Sequence, residues 1–163
     1  MPTIMIRGAK TQYDKGVTYE TIAKDFQSKY KNRIALVYFN GKMRELHRKV
    51  SGDGVLSFIT TGDSSGHKAY SRTASMMLVK ALSNIAGDKS RDVHLKFEFS
   101  LGNASYCSVF GDIAVDEELA QKLTEEMEHL RDSNIPIIKK TYPIDDAIEL
   151  FRRQGMKDKE KLF

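Results

Sequence analysis

Apolar and polar residues along this chain change texture near residue 60. Before it, apolar positions come in short runs. Thr3-Ile4-Met5-Ile6-Arg7 is β-branched and partly alternating, Gly8 marks a turn, and Thr11-Gln12-Tyr13 reads as a return strand. Thr18 is placed to cap a helix, with Val17 and Ile22 at the positions of a hydrophobic staple. Ile22, Ala23 and Phe26 then form a stripe at helical spacing. Ile34 to Phe39 is dense enough in apolar residues for a central strand. Asn40-Gly41 follows it, and both residues tolerate the positive φ of a type I′ hairpin turn. Met43 to Val50 is the expected return strand, polar and at an edge. Asp53-Gly54 is a further turn, and Val55 to Thr60 a last strand. Strands around one helix in this short space predict a small α+β unit.

The turn-rich stretch Thr61-Gly-Asp-Ser-Ser-Gly66 is the expected boundary, and longer periodic segments follow it. A helix is predicted from about His67 to Ile85, with Tyr70, Ala74, Met77, Leu78, Ala81, Leu82 and Ile85 on one stripe and Gly87 as the stop. Val93 to Phe99 alternates, placing Val93, Leu95, Phe97 and Phe99 on one face and His94, Lys96, Glu98 and Ser100 on the other. Gly102-Asn103 is a turn and Ser105 to Phe110 its partner strand. Asp116 caps a helix bearing Leu119, Leu123, Met127 and Leu130. Ile135-Pro-Ile-Ile138 reads as a short strand. Pro143 opens a last helix that ends at Arg152, Arg153 and Gly155, and a charged tail runs from 157 to 163.

Composition narrows the classes. With 163 residues, 40% hydrophobic and 29% charged, the chain fits one ordinary domain or two small ones, and a large multidomain enzyme is excluded. No apolar run reaches the roughly 18 residues of a membrane span, so no membrane partner is expected. The first residues lack the pattern of a secretory signal, and the single cysteine, Cys107, excludes an internal disulfide; a cytoplasmic location is expected. The excess of 26 basic over 22 acidic side chains permits nucleic-acid contact without demanding it.

Candidate chemistry is sparse. Gly62 to Ala69 superficially resembles a nucleotide-phosphate loop, but three residues separate its glycines, His67 splits Gly66 from Lys68, and Ala69 cannot reach Mg²⁺. A linker explains it more simply, with His67 and Lys68 left as anion-binding candidates at a helix start. His47, His67, His94 and His129 are scattered without metal-ligand spacing, so no metal is expected. His94, on the polar side of a strand, could face a ligand. Cys107 has no basic neighbour in sequence and reads as a buried strand residue. The basic clusters Arg44/Arg48/Lys49, Lys139-Lys140 and Arg152-Arg153 carry no interleaved aromatic residues for base stacking. One helix departs from the bland account. Opposite the core stripe of the 67–85 helix stand Arg72, Met76, Val79 and Ser83, where a helix packed on one side should be polar. This predicts a second contact, and Arg72, Met76 and Val79 become ligand-binding candidates.

These residues resemble known families. Pro2 to Met5-Ile6, Gly16-Val-Thr18, Ala35 to Gly41 and Val55 to Thr61 resemble a TGS domain, the ubiquitin-like β-grasp module of threonyl-tRNA synthetases and certain GTPases. The helix after the boundary, Ser105-Tyr106, the Leu119–Leu130 helix, Ile135 to Lys140 and Ala147 to Phe151 resemble the editing-type second domain of threonyl-tRNA synthetases. The resemblance implies an α+β chain, β-grasp at 1–62 and editing-like at 67–156, with the charged tail beyond. It places Arg72 and Met76 where that family carries His-x-x-x-His, and gives no counterpart to its later Cys-x-x-x-His. It also makes Tyr106 a ligand-binding candidate.

Uridine kinase-like proteins of the phosphoribulokinase group carry a similar pair of domains. Residues 69–75, Ser100 to Asn103, Tyr106-Cys107 and the ending at 155–159 resemble theirs. That resemblance implies a non-catalytic module for a nucleotide or RNA, with ATP and Mg²⁺ belonging to a kinase domain outside this chain and no cofactor within it. The partners implied are a nucleotide or tRNA end, the companion kinase domain, or a second copy of the chain. The alternatives are a stand-alone tRNA deacylase using His94 or Cys107, and a protein-interaction domain.

Overall fold

The computed structural model describes residues 1–102 and 104–162, without the side chains of 157 and 158. Contacts divide the chain into two compact units, Met1–Ala74 and Ser75–Phe163, so the division falls inside a helix.

The first unit is an α+β β-grasp. β1 (Thr3–Ile6) and β2 (Ala9–Gln12) form a hairpin whose turn residues Arg7 and Gly8 both take positive φ, 52° and 86°. α1 (Tyr19–Phe26) is capped by Thr18, whose Oγ1 accepts from the Thr21 amide at 3.2 Å. β3 (Ile34–Phe39) and β4 (Lys42–Glu45) meet through Asn40-Gly41 at φ 50° and 73°, the type I′ geometry expected. Asn40 also ties this hairpin to β5 (Gly54–Thr60), its Oδ1 accepting from the Val55 amide at 2.8 Å. The sheet order is β2-β1-β5-β3-β4, with β5 parallel to β1 and antiparallel to β3. Ile4, Ile6, Tyr19, Ile22, Val37, Phe39, Val50 and Leu56 form the core.

The return strand is shorter than the expected Met43–Val50. After Glu45 the chain leaves the sheet and serves the start of α1: the Tyr19 amide donates to Arg48 O at 3.0 Å and the Glu20 amide to Leu46 O at 2.7 Å. These first-turn amides lack partners within the helix, so the chain following β4 is worth more there than on the ladder.

α2 (Ser64–Ala86) starts three residues earlier than its apolar pattern suggests. The Asp63 carboxylate accepts from the Thr60 amide (2.7 Å) and hydroxyl (2.8 Å), and the Asp63 amide donates to Thr60 O at 3.0 Å. The turn-rich stretch thus collapses into a tight corner, with Ser64, Ser65 and Gly66 already helical, and forms no phosphate-cradling loop. The backbone and hydroxyl donors of Thr60 hold the Asp63 carboxyl below the usual carboxylate range. Its stabilising share is therefore present above the ordinary carboxylate pKa and is lost as pH falls through the depressed value. Denaturant midpoints of the native chain and Asp63→Asn, compared from about pH 5 to pH 2, are expected to converge at the acid end.

In the second unit, the later turns of α2 lead through a 3-10 turn (Gly87–Arg91) to an antiparallel hairpin, β6 (His94–Leu101) and β7 (Ala104–Phe110). Gly87 stops the helix at φ 56°, as expected. α3 (Glu117–Asp132) is capped by Asp116, whose Oδ1 accepts from the Leu119 amide at 2.9 Å. α4 (Ile144–Arg153) and α5 (Lys157–Glu160) complete the described elements. Leu82, Val93 and Leu119 are buried together, with Leu95, Val109 and Leu123 packed around them.

Two expectations are corrected here. Ile135–Ile138 is no strand: it pairs with none among the described residues, Pro136 offers no amide, and Ile137 and Ile138 are exposed. The alternation of β6 also breaks. The ladder shifts between Phe97, opposite Cys107, and Phe99, opposite Tyr106, so Glu98 is an extra residue. This bulge moves Phe99 from the face of Leu95 to that of His94 and Lys96. Asn103, half of the expected turn, lies outside the described residues. No helix among them is long and apolar enough to cross a membrane.

Candidate functional site

The candidate residues separate into two places, one in each unit. In the first, an open cleft of about 650 Å³ is lined by Lys68, Arg72 and Thr73 of α2, Ala35 and Leu36 of β3, Met43 and Glu45 of β4, and Glu20, Leu46 and His47. Lys68 and Arg72 stand one helical turn apart, which places both cations on the same face of α2. The two acids there are already engaged. Glu45 holds Arg48 at 3.2 Å, and Glu20 holds Lys24 at 3.0 Å. No ion pair among the described residues engages Lys68 or Arg72, so both are available to an anion. His67 does not line the cleft; its amide continues α2 by donating to Asp63 O at 2.8 Å. Met76 and Val79 do not line it either. They belong to the second unit, where both are exposed.

The second place is one face of the β6–β7 hairpin. His94 lies opposite Phe110 and stacks on it with ring centres 5.1 Å apart and planes at 11°. Phe99, brought over by the bulge, stacks on Tyr106 at 5.0 Å and 15°. Lys96 and Ser108 form the rung between the two ring pairs. Glu98 meets Lys96 at 2.8 Å, and that hydrogen bond first, then the cation's charge, keeps its carboxyl below the ordinary range. The sheet's other face carries Leu95 and Val109 into the core. His94 and Tyr106 therefore share an exposed face, yet each is paired with a phenylalanine and not with the other.

Groups suited to covalent or metal chemistry stay apart. Cys107 directs its thiol toward Ser105 O at 3.8 Å, and burial pushes its pKa up, away from thiolate character. Among the described residues no three His, Cys, Asp or Glu side chains are grouped as metal ligands would be. Arg152 and Arg153, a basic cluster in the sequence, are both held by Glu149, at 3.0 and 2.9 Å.

Charge is divided unequally between the units. Residues 1–74 carry 13 Lys and Arg against 6 Asp and Glu, while residues 75–163 carry 13 against 16. A further basic run, Lys24, Lys29, Lys31 and Arg33, has no adjacent cations because its members are spaced. Its signal lies in the interleaving: Phe26 and Tyr30 fall between these cations, and Asp25 is the single acid.

With this geometry in view, comparison with known proteins adds a relationship. No family model matches the chain. The similarity is to threonine–tRNA ligases. The ligase of Caldanaerobacter subterraneus subsp. tengcongensis is 30% identical over 138 residues, which take in 85% of this chain and 20% of that protein. The Thermotoga maritima ligase is 30% identical over 153 residues, 92% of this chain and 23% of that protein. Threonine–tRNA ligase 1 of Bacillus subtilis is 28% identical over 148 residues, 91% of this chain and 22% of that protein. The chain thus spans about a fifth of the length of the curated relatives it matches. Stretches of this length run through both units.

Proposed function

We propose that this chain is a tRNA-binding module of the editing-domain type, serving recognition and not hydrolysis. The observation that carries this reading is its similarity, over about nine-tenths of its length, to threonine–tRNA ligases. The cleft of the first unit supports it with Lys68 and Arg72, two cations that no ion pair among the described residues engages. A guanidinium matches phosphate oxygens with several donors at once, so Arg72 is the stronger anchor. The hairpin face of the second unit supports it with exposed ring pairs beside Lys96, a surface on which an unpaired base can rest.

Recognition is favoured over deacylation by the state of the two candidate catalysts. The His94 ring is stacked on Phe110, and burial raises the Cys107 thiol's pKa, away from thiolate character. In binding titrations of the full chain with threonine tRNA, Arg72→Ala is expected to weaken association roughly tenfold, the size of a charge-assisted contact. Unchanged affinity would remove Arg72 from the site. Mischarged threonine-tRNA is expected to survive incubation with the native chain; hydrolysis lost in His94→Ala or Cys107→Ser would establish the deacylase reading instead.

A kinase parent draws nothing from the relatives named above, all of them tRNA ligases. Reading the gene past Phe163 for a Gly-x-x-x-x-Gly-Lys-Ser/Thr signature tests that part of the resemblance directly.

A further inference from the structure

The 24–33 run becomes a shaped surface in the fold. Lys24, Lys29, Lys31 and Arg33 are exposed along the end of α1, the 3-10 turn Gln27–Lys29 and the loop into β3. Arg7, remote in sequence, joins them from the β1–β2 turn, its guanidinium carbon 5.5 Å from the Tyr30 ring centre. Lys29 Nζ lies 4.8 Å over the Phe26 ring. Phe26 and Tyr30 both rest on Phe58, at 5.3 and 5.7 Å, so these two cations stand on rings anchored to the core.

The same run also lines an open groove of about 510 Å³, with Lys24, Lys31 and Arg33 among its lining residues. Gln27 fixes its wall by bridging the loop: its Nε2 donates to Asn32 O at 3.1 Å, and its Oε1 accepts from the Ile34 amide at 2.9 Å. Glu20 is the acid at the groove and is taken by Lys24. Among the described residues no ion pair engages Lys31 or Arg33. A protein whose excess charge lies wholly in this unit thus carries available cations on a concave corner.

We infer that this corner docks the phosphate backbone of RNA, with Lys31 and Arg33 as its principal contacts. The inference rests on the reading of the chain as a tRNA-binding module and names the surface that supplies its salt-dependent affinity. Cations on the walls of a groove suit a ridge of phosphates. A flat anionic bilayer would meet only the rim. Neutralising phosphates releases condensed counterions, so each lost contact lowers the slope of log affinity against log salt by roughly 0.7 to 0.9.

The test is binding of the full chain to a threonine tRNA transcript across a salt series. Lys31→Glu/Arg33→Glu is compared with Lys10→Glu/Lys42→Glu, which changes net charge equally on β2 and β4 outside the groove. The groove pair is expected to lose at least about tenfold in affinity at low salt and between about 1 and 2 units of slope, with the control pair near the native values. Lys31→Arg/Arg33→Lys is expected to retain binding, and unchanged circular dichroism and melting confirm that the variants fold. Equal losses in both pairs, or none in the groove pair while the native chain still binds tRNA, overturn the docking surface alone. Failure of the native chain to bind tRNA at any salt overturns the module reading and the docking surface together. Groove-dependent binding to phosphatidylserine vesicles that outcompetes the tRNA would make the corner a membrane surface and overturn the RNA assignment.

Discussion

Gly66→Ala is expected to destabilise the 1–74 unit by about 2–3 kcal/mol, although the same change inside most helices is favourable. Gly66 is buried in the first turn of α2, where the corner at Thr60–Asp63 folds the helix back onto the end of β5. A β-carbon there would meet the carbonyl oxygen and carbon of Thr60 and the Thr61 amide. All three are backbone atoms, and Thr60 is further fixed by its bonds to Asp63, so relief requires the helix or strand to move. Gly62→Ala is the internal control. Its β-carbon would meet the side-chain amide of Asn32, which can swing aside, and its cost is expected to be well under half as large. Equilibrium denaturation, with hydrogen exchange of the β5 amides to locate the loss, checks both. Equal effects at the two glycines would show that the close approach of α2 to β5 is not what excludes a side chain at Gly66.

Leu56→Ala is expected to cost more, about 3–4 kcal/mol, because it opens a cavity at the centre of the sheet. Leu56 is 1% exposed on β5, opposite Ile6 on one side and Phe39 on the other, inside the cluster formed with Ile22 and Val37. Its neighbours are held by two strands and a helix and cannot all close on the void. In a unit of this size such a loss lowers the melting midpoint by roughly 12–32 °C. Ser57→Ala, on the same strand but exposed, is expected to shift stability by no more than about 0.5 kcal/mol. Calorimetry of the two variants separates core packing from strand propensity.

Local chemistry is legible in the residue order. Thr18 and Asp116 cap the helices assigned to them, Asn40-Gly41 makes its turn, and Gly87 stops α2. Each depends on residues within a few positions, where side-chain donors and allowed φ values leave few alternatives. The β-grasp follows from resemblance and from the order of elements. Pattern and fold part where a distant partner competes. The chain after β4 leaves the ladder for the orphan amides of α1, and 135–138 finds no strand to join. The candidate sites divide in the same way. The chemical character of Lys68, Arg72, His94 and Tyr106 is plain from their types, whereas their surroundings are not: the Phe99–Tyr106 stack depends on a one-residue bulge that a period-2 pattern does not contain.

Residue order alone dictates the α+β class, the turns and caps, the absence of an internal disulfide, and the concentration of positive charge before residue 75. Which of those charges act together is a property of the folded chain. Folding places Arg7 over Tyr30, sets Lys31 and Arg33 on the wall of a groove, and draws Lys68 and Arg72 into a cleft with His47, while tying Arg152 and Arg153 to Glu149. The difference is one of range. Backbone preference and capping act over a few residues. The value of a charge depends on what the folded chain brings within a few ångströms of it, and that is set by core packing between segments far apart in sequence.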